Sequence, residues 1–208
     1  MNVSRETESL ATFTDQIAVS RETAERLQAY ADLLLRWQAK INLIGPATIP
    51  SLWTRHFLDS GQLLAHLPDG PVLDMGAGAG FPGLVLAILR PGGAPVHLVE
   101  ADGRKGAFLR EVIRVTGAPA VVHTGRLETL KPFPVAAITA RALAPLIQLL
   151  NWAEPFLEPG TRCLFPKGQT GEDELTAAAK TWKMTVARIA SISDPAGIIF
   201  HLSEVQRG

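Results

Sequence analysis

Apolar positions in the first third of the chain recur at intervals of three and four. Leu27, Tyr30, Ala31, Leu34, Trp37 and Ile41 draw one stripe along a helix, and Ser20 stands where its cap belongs. Residues 1–19 show no comparable period and read as a loosely held lead-in. After a loop over 42–50, Leu52, Trp53, Phe57, Leu63, Leu64 and Leu67 predict a second helix that stops at Pro68-Asp69-Gly70. Beyond Gly70 the pattern changes. Short apolar runs at 72–75, 96–100, 120–123, 136–140 and 161–165 alternate with helical stretches from Gly83, from Arg104, around 146–157 and around 172–180. Such alternation predicts parallel strands joined by crossover helices, an α/β open sheet. Two last runs, 185–193 and 198–205, are separated only by Asp194-Pro195-Ala196-Gly197, a connection that permits only an antiparallel pair. The expectation is a seven-stranded sheet, mostly parallel with one antiparallel strand, covered by helices on both faces. Residues 1–70 form a helical extension and 71–208 the sheet-bearing domain.

Charge narrows the choice of partner. Lys+Arg and Asp+Glu both number 20 in the 208 residues, so no global field announces a polyanion, and any grip on one must be local. The one cysteine, Cys163, has no partner for an internal disulfide, and no Cys/His group has zinc-site spacing. Met1-Asn2-Val3-Ser4-Arg5-Glu6 is too polar for a signal peptide, and the longest apolar run, Leu84 to Leu89, is too short for a membrane span. A cytoplasmic chain, with neither membrane nor metal among its partners and monomeric, is expected.

The densest motif is Val72-Leu73-Asp74-Met75-Gly76-Ala77-Gly78-Ala79-Gly80-Phe81-Pro82-Gly83. A strand, a glycine run and a helix start allow a backbone to approach a nucleotide-like ligand closely. Glu100, at the end of the next strand, is placed to accept hydrogen bonds from ribose hydroxyls. Two ligands compete. Gly78 to Gly83 satisfies G-x-G-x-x-G, which favours a dinucleotide and an NAD(P)-dependent oxidoreductase. Asp74, however, would repel a pyrophosphate and suits a cationic sulfonium, which favours S-adenosylmethionine and a Rossmann-like class I methyltransferase fold.

Further motifs carry a resemblance. Trp37 with Asn42-Leu43, then Arg55-His56-Phe57-Leu58-Asp59-Ser60, the glycine loop, Arg104-Lys105 with Phe108-Leu109-Arg110, Gly125-Arg126-Leu127-Glu128, Ala140-Arg141-Ala142 and Pro166-Lys167-Gly168 follow one another in order. Together they resemble the RsmG/GidB group, bacterial methyltransferases that modify guanine N7 in 16S rRNA. The likeness runs from about Leu27 to the carboxyl end and departs at Ala140 and Ile44, where serine and threonine are common. It implies S-adenosylmethionine contacts at Gly76, Phe81, Leu127, Glu128 and Arg141, and 7-methylguanosine in the small ribosomal subunit as the product.

Read for chemistry, guanine N7 carries an in-plane lone pair and no proton, so its methylation needs alignment rather than a general base. The cofactor site is expected to comprise Asp74, Gly76, Gly78, Gly80, Phe81, Glu100, Leu127, Glu128 and Arg141. Arg141, at the carboxyl end of the fourth parallel strand, is the candidate catalytic residue, pairing the methionine carboxylate or donating to guanine O6. Arg55, His56, Arg104, Lys105 and Lys167 are candidates for RNA contact. Three-residue spacing places His56 and Asp59 on one helix face, where they read as a structural polar pair. A catalytically silent ribosome-binding or RNA-binding protein of the same fold is a further alternative.

Overall fold

The computed structural model describes residues 8–208; the polar hexapeptide at 1–6 lies outside them. The chain opens with α1 (Leu10–Thr14) and α2 (Arg21–Gln38), then coils irregularly through a π-helical turn at Trp53–Leu58, α3 (Asp59–Gly61) and a 3-10 turn at Gln62–His66. Ser20 caps α2 as its position predicts, its hydroxyl accepting the Thr23 amide at 3.2 Å. The helix does not reach Ile41. Gln38 folds back at its end, Oε1 accepting the amides of Leu43 and Ile44 and Nε2 donating to the Ile44 carbonyl, so the next segment is tied down by a side chain instead of a further helical turn.

Seven strands follow: β1 (Val72–Met75), β2 (Val96–Glu100), β3 (Ala120–Thr124), β4 (Ala137–Thr139), β5 (Arg162–Lys167), β6 (Trp182–Ala190) and β7 (Ile198–Arg207). They lie side by side as β3-β2-β1-β4-β5-β7-β6. β1 pairs in parallel with β2 on one side and β4 on the other, which makes the carboxyl ends of β1 and β4 the switch point of the sheet. β7 runs antiparallel to both β5 and β6, as its short connection requires. The connecting helices are α4 (Gly83–Leu89), α5 (Gly103–Thr116), α6 (Leu146–Ala153) and α7 (Gly171–Ala178). β6 begins three residues before the predicted 185 and stops at Ala190, because the Ser191 hydroxyl accepts the amides of Ser193 and Asp194 and turns the chain there.

Every residue of β1 is buried, as suits a central strand covered on both faces. Its alternation divides the core. Val72 joins a cluster with Leu27, Tyr30, Phe57, Leu84 and Phe108, whereas Leu73 and Met75 join one with Ile138, Leu150, Phe165 and Trp182. The amino-terminal helices thus share one apolar layer with α4 and α5. α1 belongs to it as well: Phe13 is fully buried, with its ring centroid 6.4 Å from that of Trp53. From residue 10 onward the lead-in is therefore part of the core. A five-residue helix anchored by a single ring is too short to show a period.

Phe13→Ala is expected to lower stability by about 3–5 kcal/mol, the cost of emptying an aromatic site in a close-packed core. Urea unfolding measures it. A loss under about 1 kcal/mol would mean that α1 is not part of that layer.

Candidate active site

The glycine loop leaves β1 and enters α4 over a buried carboxylate. Asp74 is fully buried; its Oδ2 accepts the Gly83 amide at 3.0 Å and its Oδ1 the Thr139 hydroxyl at 2.8 Å. Burial pushes its carboxyl up to about 7, against the opposing effect of those two hydrogen bonds. Asp74 does not line the cavity above the loop. The expectation that it faces a sulfonium is corrected: it shares the pleat face of Val72, beneath the loop, where it joins β1, β4 and the start of α4. From the other side, the Tyr30 hydroxyl donates to the Ala79 carbonyl. Gly80 has φ +96°, and a Cβ there would lie 2.6 Å from that hydroxyl oxygen. Gly80 therefore lets α2 touch the loop and, like Asp74, stays outside the cavity lining.

The cavity holds about 650 Å³ and brings together most of the other predicted positions: Gly76, Gly78, Phe81, Glu100, Leu127, Glu128 and Arg141. Glu100 spans the loop and its own strand end, Oε2 accepting from Gly78 N–H and Oε1 from Asp102 N–H, both at 2.8 Å. Glu128 accepts the Trp152 indole N–H at 3.0 Å. Trp152 and Leu143 also line this space, and nothing in the local pattern marked them; Ile44, one of the two departures from the family pattern, lines it too. Gly76 has φ +65°, the left-handed conformation that favours glycine, and a Cβ there would also push the Leu143 side chain aside, meeting it at 2.5 Å.

Arg141 closes one side. Its Nη1 donates to the Arg55 carbonyl (2.9 Å) and to Asp59 Oδ2 (3.3 Å), and its Nη2 to His56 Nδ1 (2.8 Å). The guanidinium carbon stands 5.1 Å from the centre of the Phe81 ring, which stacks on Tyr30. Arg141 Nε is buried and has no partner. Since His56 accepts at Nδ1, its proton sits on Nε2, which lies 2.8 Å from Thr48 Oγ1; that hydroxyl in turn donates to the Gly45 carbonyl at 2.7 Å. His56 and Asp59 are thus not a pair with each other but two holders of Arg141. His56 is buried with both ring nitrogens engaged, and it lines the first cavity. Ala142, next along, has φ +50°, a conformation that costs a non-glycine residue of order 1–3 kcal/mol and marks functional sites.

Arg141, Ala142 and Leu143 also line a second cavity of about 490 Å³, with Arg55, Lys167 and the β6–β7 loop around it. Arg55 pairs with Asp194 at 3.0 Å and Lys167 with Glu174 at 2.8 Å. Arg104 lies apart, exposed and beside Asp102, in a cleft with Lys40 and Lys105; Lys105 lines the first cavity too. Among the described residues no cluster of three metal-ligating side chains occurs. His97 and His123, unrelated by spacing, come together across β2 and β3 with Nδ1 and Nε2 at 3.0 Å, a hydrogen bond.

Residues 23–196 match the GidB family, described as rRNA small subunit methyltransferase G. The chain belongs to the GidB family. It is 58% identical to the ribosomal RNA small subunit methyltransferase G of Paramagnetospirillum magneticum, over 91% of this chain and 93% of that one. The protein of the same name from Rhodospirillum rubrum is 56% identical, over 94% and 97%. Among solved structures, an O-methyltransferase from Bacillus cereus in complex with SAH superposes with a TM-score of 0.55 at 17% identity, covering 94% of this chain and all of that one. That likeness shows the Rossmann-like methyltransferase fold. As a GidB member the chain is an S-adenosylmethionine-dependent rRNA methyltransferase, which sets aside the oxidoreductase reading of G-x-G-x-x-G.

In this GidB protein the His56 imidazole is held neutral, its pKa lowered to about 3 by burial and then by the charges of Arg141 and Arg55. An unfolded histidine titrates near 6.5, so below that pH the unfolded chain takes up the proton first. The stabilisation is whole above about 6.5 and is lost as pH falls toward 3. Between pH 7.5 and 4.5 the stability advantage of the native chain over His56→Gln is expected to shrink by roughly 2–3 kcal/mol. Urea titrations of both proteins at the two pH values measure this, and an unchanged difference would contradict it.

Proposed function

We propose that this chain methylates N7 of a guanine in 16S rRNA, with S-adenosylmethionine in the larger cavity and the target base in the second. The observation that carries this reading is the meeting of the two cavities at Arg141, Ala142 and Leu143. A methyl donor on one side and an acceptor on the other would face each other across that strained turn.

The residues around the larger cavity fit the cofactor. Positive φ at Gly76 and Gly78 keeps the backbone low beneath a ligand. Glu100 keeps carboxylate lone pairs beyond the two backbone amides it accepts, enough for ribose hydroxyls. Glu128, with one oxygen on Trp152, has the other for an adenine amino group. Bound there, S-adenosylmethionine supplies a methyl group activated by a sulfonium. The chain's own contribution is alignment, since N7 needs no general base. Arg141 offers its unpaired Nε–H to a methionine carboxylate or to guanine O6, while both Nη1 contacts and the His56 contact prevent it from sliding over N7 and occupying the attacking lone pair.

Charge sorts the RNA. Each cation lining the second cavity has a carboxylate beside it, at Arg55–Asp194, Arg141–Asp59 and Lys167–Glu174. Such a compensated wall suits a neutral, polar base. Lys105 and Arg126, on the larger cavity, and Lys40, in the adjoining cleft, form no ion pair among the described residues and are left for phosphates. Arg104 extends that track, whereas half-buried Lys167 and buried His56 shape the site. The protein acts as a cytoplasmic monomer, without metal, on the small-subunit rRNA.

Labelled methyl transfer to undermethylated small subunits, followed by mass mapping, is expected to give one 7-methylguanosine. Lys105→Ala should raise KM for RNA and lower the slope of log affinity against log salt by about 1, with kcat kept. No label in RNA, or tight calorimetric binding of NADH in place of adenosylhomocysteine, would contradict the proposal.

A further inference from the structure

The loop between β6 and β7 carries a side chain that neither cavity accounts for. Ile192 is 55% exposed, the most exposed of the large apolar residues among those described. Its two neighbours, Ser191 and Ser193, line the second cavity, so Ile192 stands at the rim of that cavity. The loop is held firmly. Gln62, itself buried, joins this loop to Asp59: Oε1 accepts the Ile192 amide at 2.8 Å, and Nε2 lies 3.1 and 3.2 Å from the hydroxyl oxygens of Ser191 and Ser193 and 3.0 Å from Asp59 Oδ1. Ser193 donates to Asp59 at 2.7 Å, which ties the same loop to the holder of Arg141. A firmly held apolar side chain, exposed to water at the rim of the cavity proposed for the base, is placed to meet an apolar surface that arrives with the substrate.

Guanine N7 lies in the deep, narrow major groove of an RNA helix, out of reach of an enzyme cavity. The target base must leave its stack to enter the second cavity, and the gap it leaves is unfavourable unless something fills it. Proteins that unstack bases often fill such gaps with isoleucine, leucine, methionine or phenylalanine. We infer that Ile192 is the wedge that fills the place vacated by the guanine as the base enters the second cavity. The inference rests on the proposed placing of the base there. Ile192 is a positioning residue; it touches the RNA stack and not the reacting atoms.

The test uses 16S rRNA ligated from a fragment bearing the target guanine, with its neighbours intact or with both flanking nucleotides abasic, presented naked and in reconstituted subunits. Single-turnover methylation by Ile192→Ala is expected to be about tenfold slower on intact RNA and within about twofold of wild type on abasic RNA, where no stack has to be opened. Ile192→Leu should restore most of the rate, and KM for S-adenosylmethionine should not move. Full activity of Ile192→Ala on intact RNA would overturn the inference, as would an equal loss on both RNAs. A loss seen only in reconstituted subunits would also overturn it, since that would assign Ile192 to a ribosomal protein. A wild-type chain that labels neither RNA overturns the placing of the base as well, which separates that failure from one confined to the alanine variant.

Discussion

A single guanidinium ties the molecule's parts into one working site. Arg141 leaves the end of β4 and gives its hydrogens to the Arg55 carbonyl, Asp59 and His56, all on the coiled segment that precedes the sheet. An arginine this far withdrawn from water is costly unless its donors are satisfied and its charge is matched. Here that requirement determines the fold of its surroundings. The π-helical turn at Trp53–Leu58 brings Arg55 and His56 to it, its own donation to Nδ1 leaves the His56 proton on Nε2 against Thr48, and Phe81 offers its ring face. Wide turns of this kind interrupt helices chiefly at functional sites. Of its five N–H groups three are engaged in this way, Nε is buried without a partner, and the residue lines both cavities.

The same economy governs charge. A chain of zero net charge has to recognise a polyanion without a general positive field. It does so by pairing some cations and leaving others open. Where a base is to be received, lysine and arginine stand against carboxylates and the wall is polar yet nearly neutral. Where the backbone is proposed to pass, Lys40, Lys105 and Arg126 form no ion pair among the described residues and lie on or beside the larger cavity. Affinity gained this way falls with salt, and selectivity is left to the shape of the rRNA.

Much of this was legible in the sequence because the relevant signals are local. Short apolar runs alternating with helical stripes declared the sheet, the connection at 194–197 declared its antiparallel strand, and the glycine run with Glu100 declared the cofactor loop. What escaped depends on contacts distant in sequence or on parity. Trp152 meets Glu128 from another helix, and no spacing links them. Three-residue spacing put His56 beside Asp59, but the π turn and a third residue, Arg141, decide what each one holds. Asp74 could have been read better: it shares parity with Val72, whose side chain packs under α4, so its carboxylate belongs beneath the loop. The basic residues looked alike as a class, and only their partners separate Lys167, bound to Glu174, from Lys105, which forms no ion pair among the described residues.

The central claim is a division of labour across Arg141, Ala142 and Leu143. A crystal structure with adenosylhomocysteine and guanosine monophosphate tests it most directly. The adenosyl group is expected between Glu100 and Glu128, the guanine in the cavity walled by Lys167 and Asp194, and N7 turned toward the sulfur across Ala142. Guanine bound on the Lys40–Lys105 side, or adenosylhomocysteine seated beside Lys167, would contradict it.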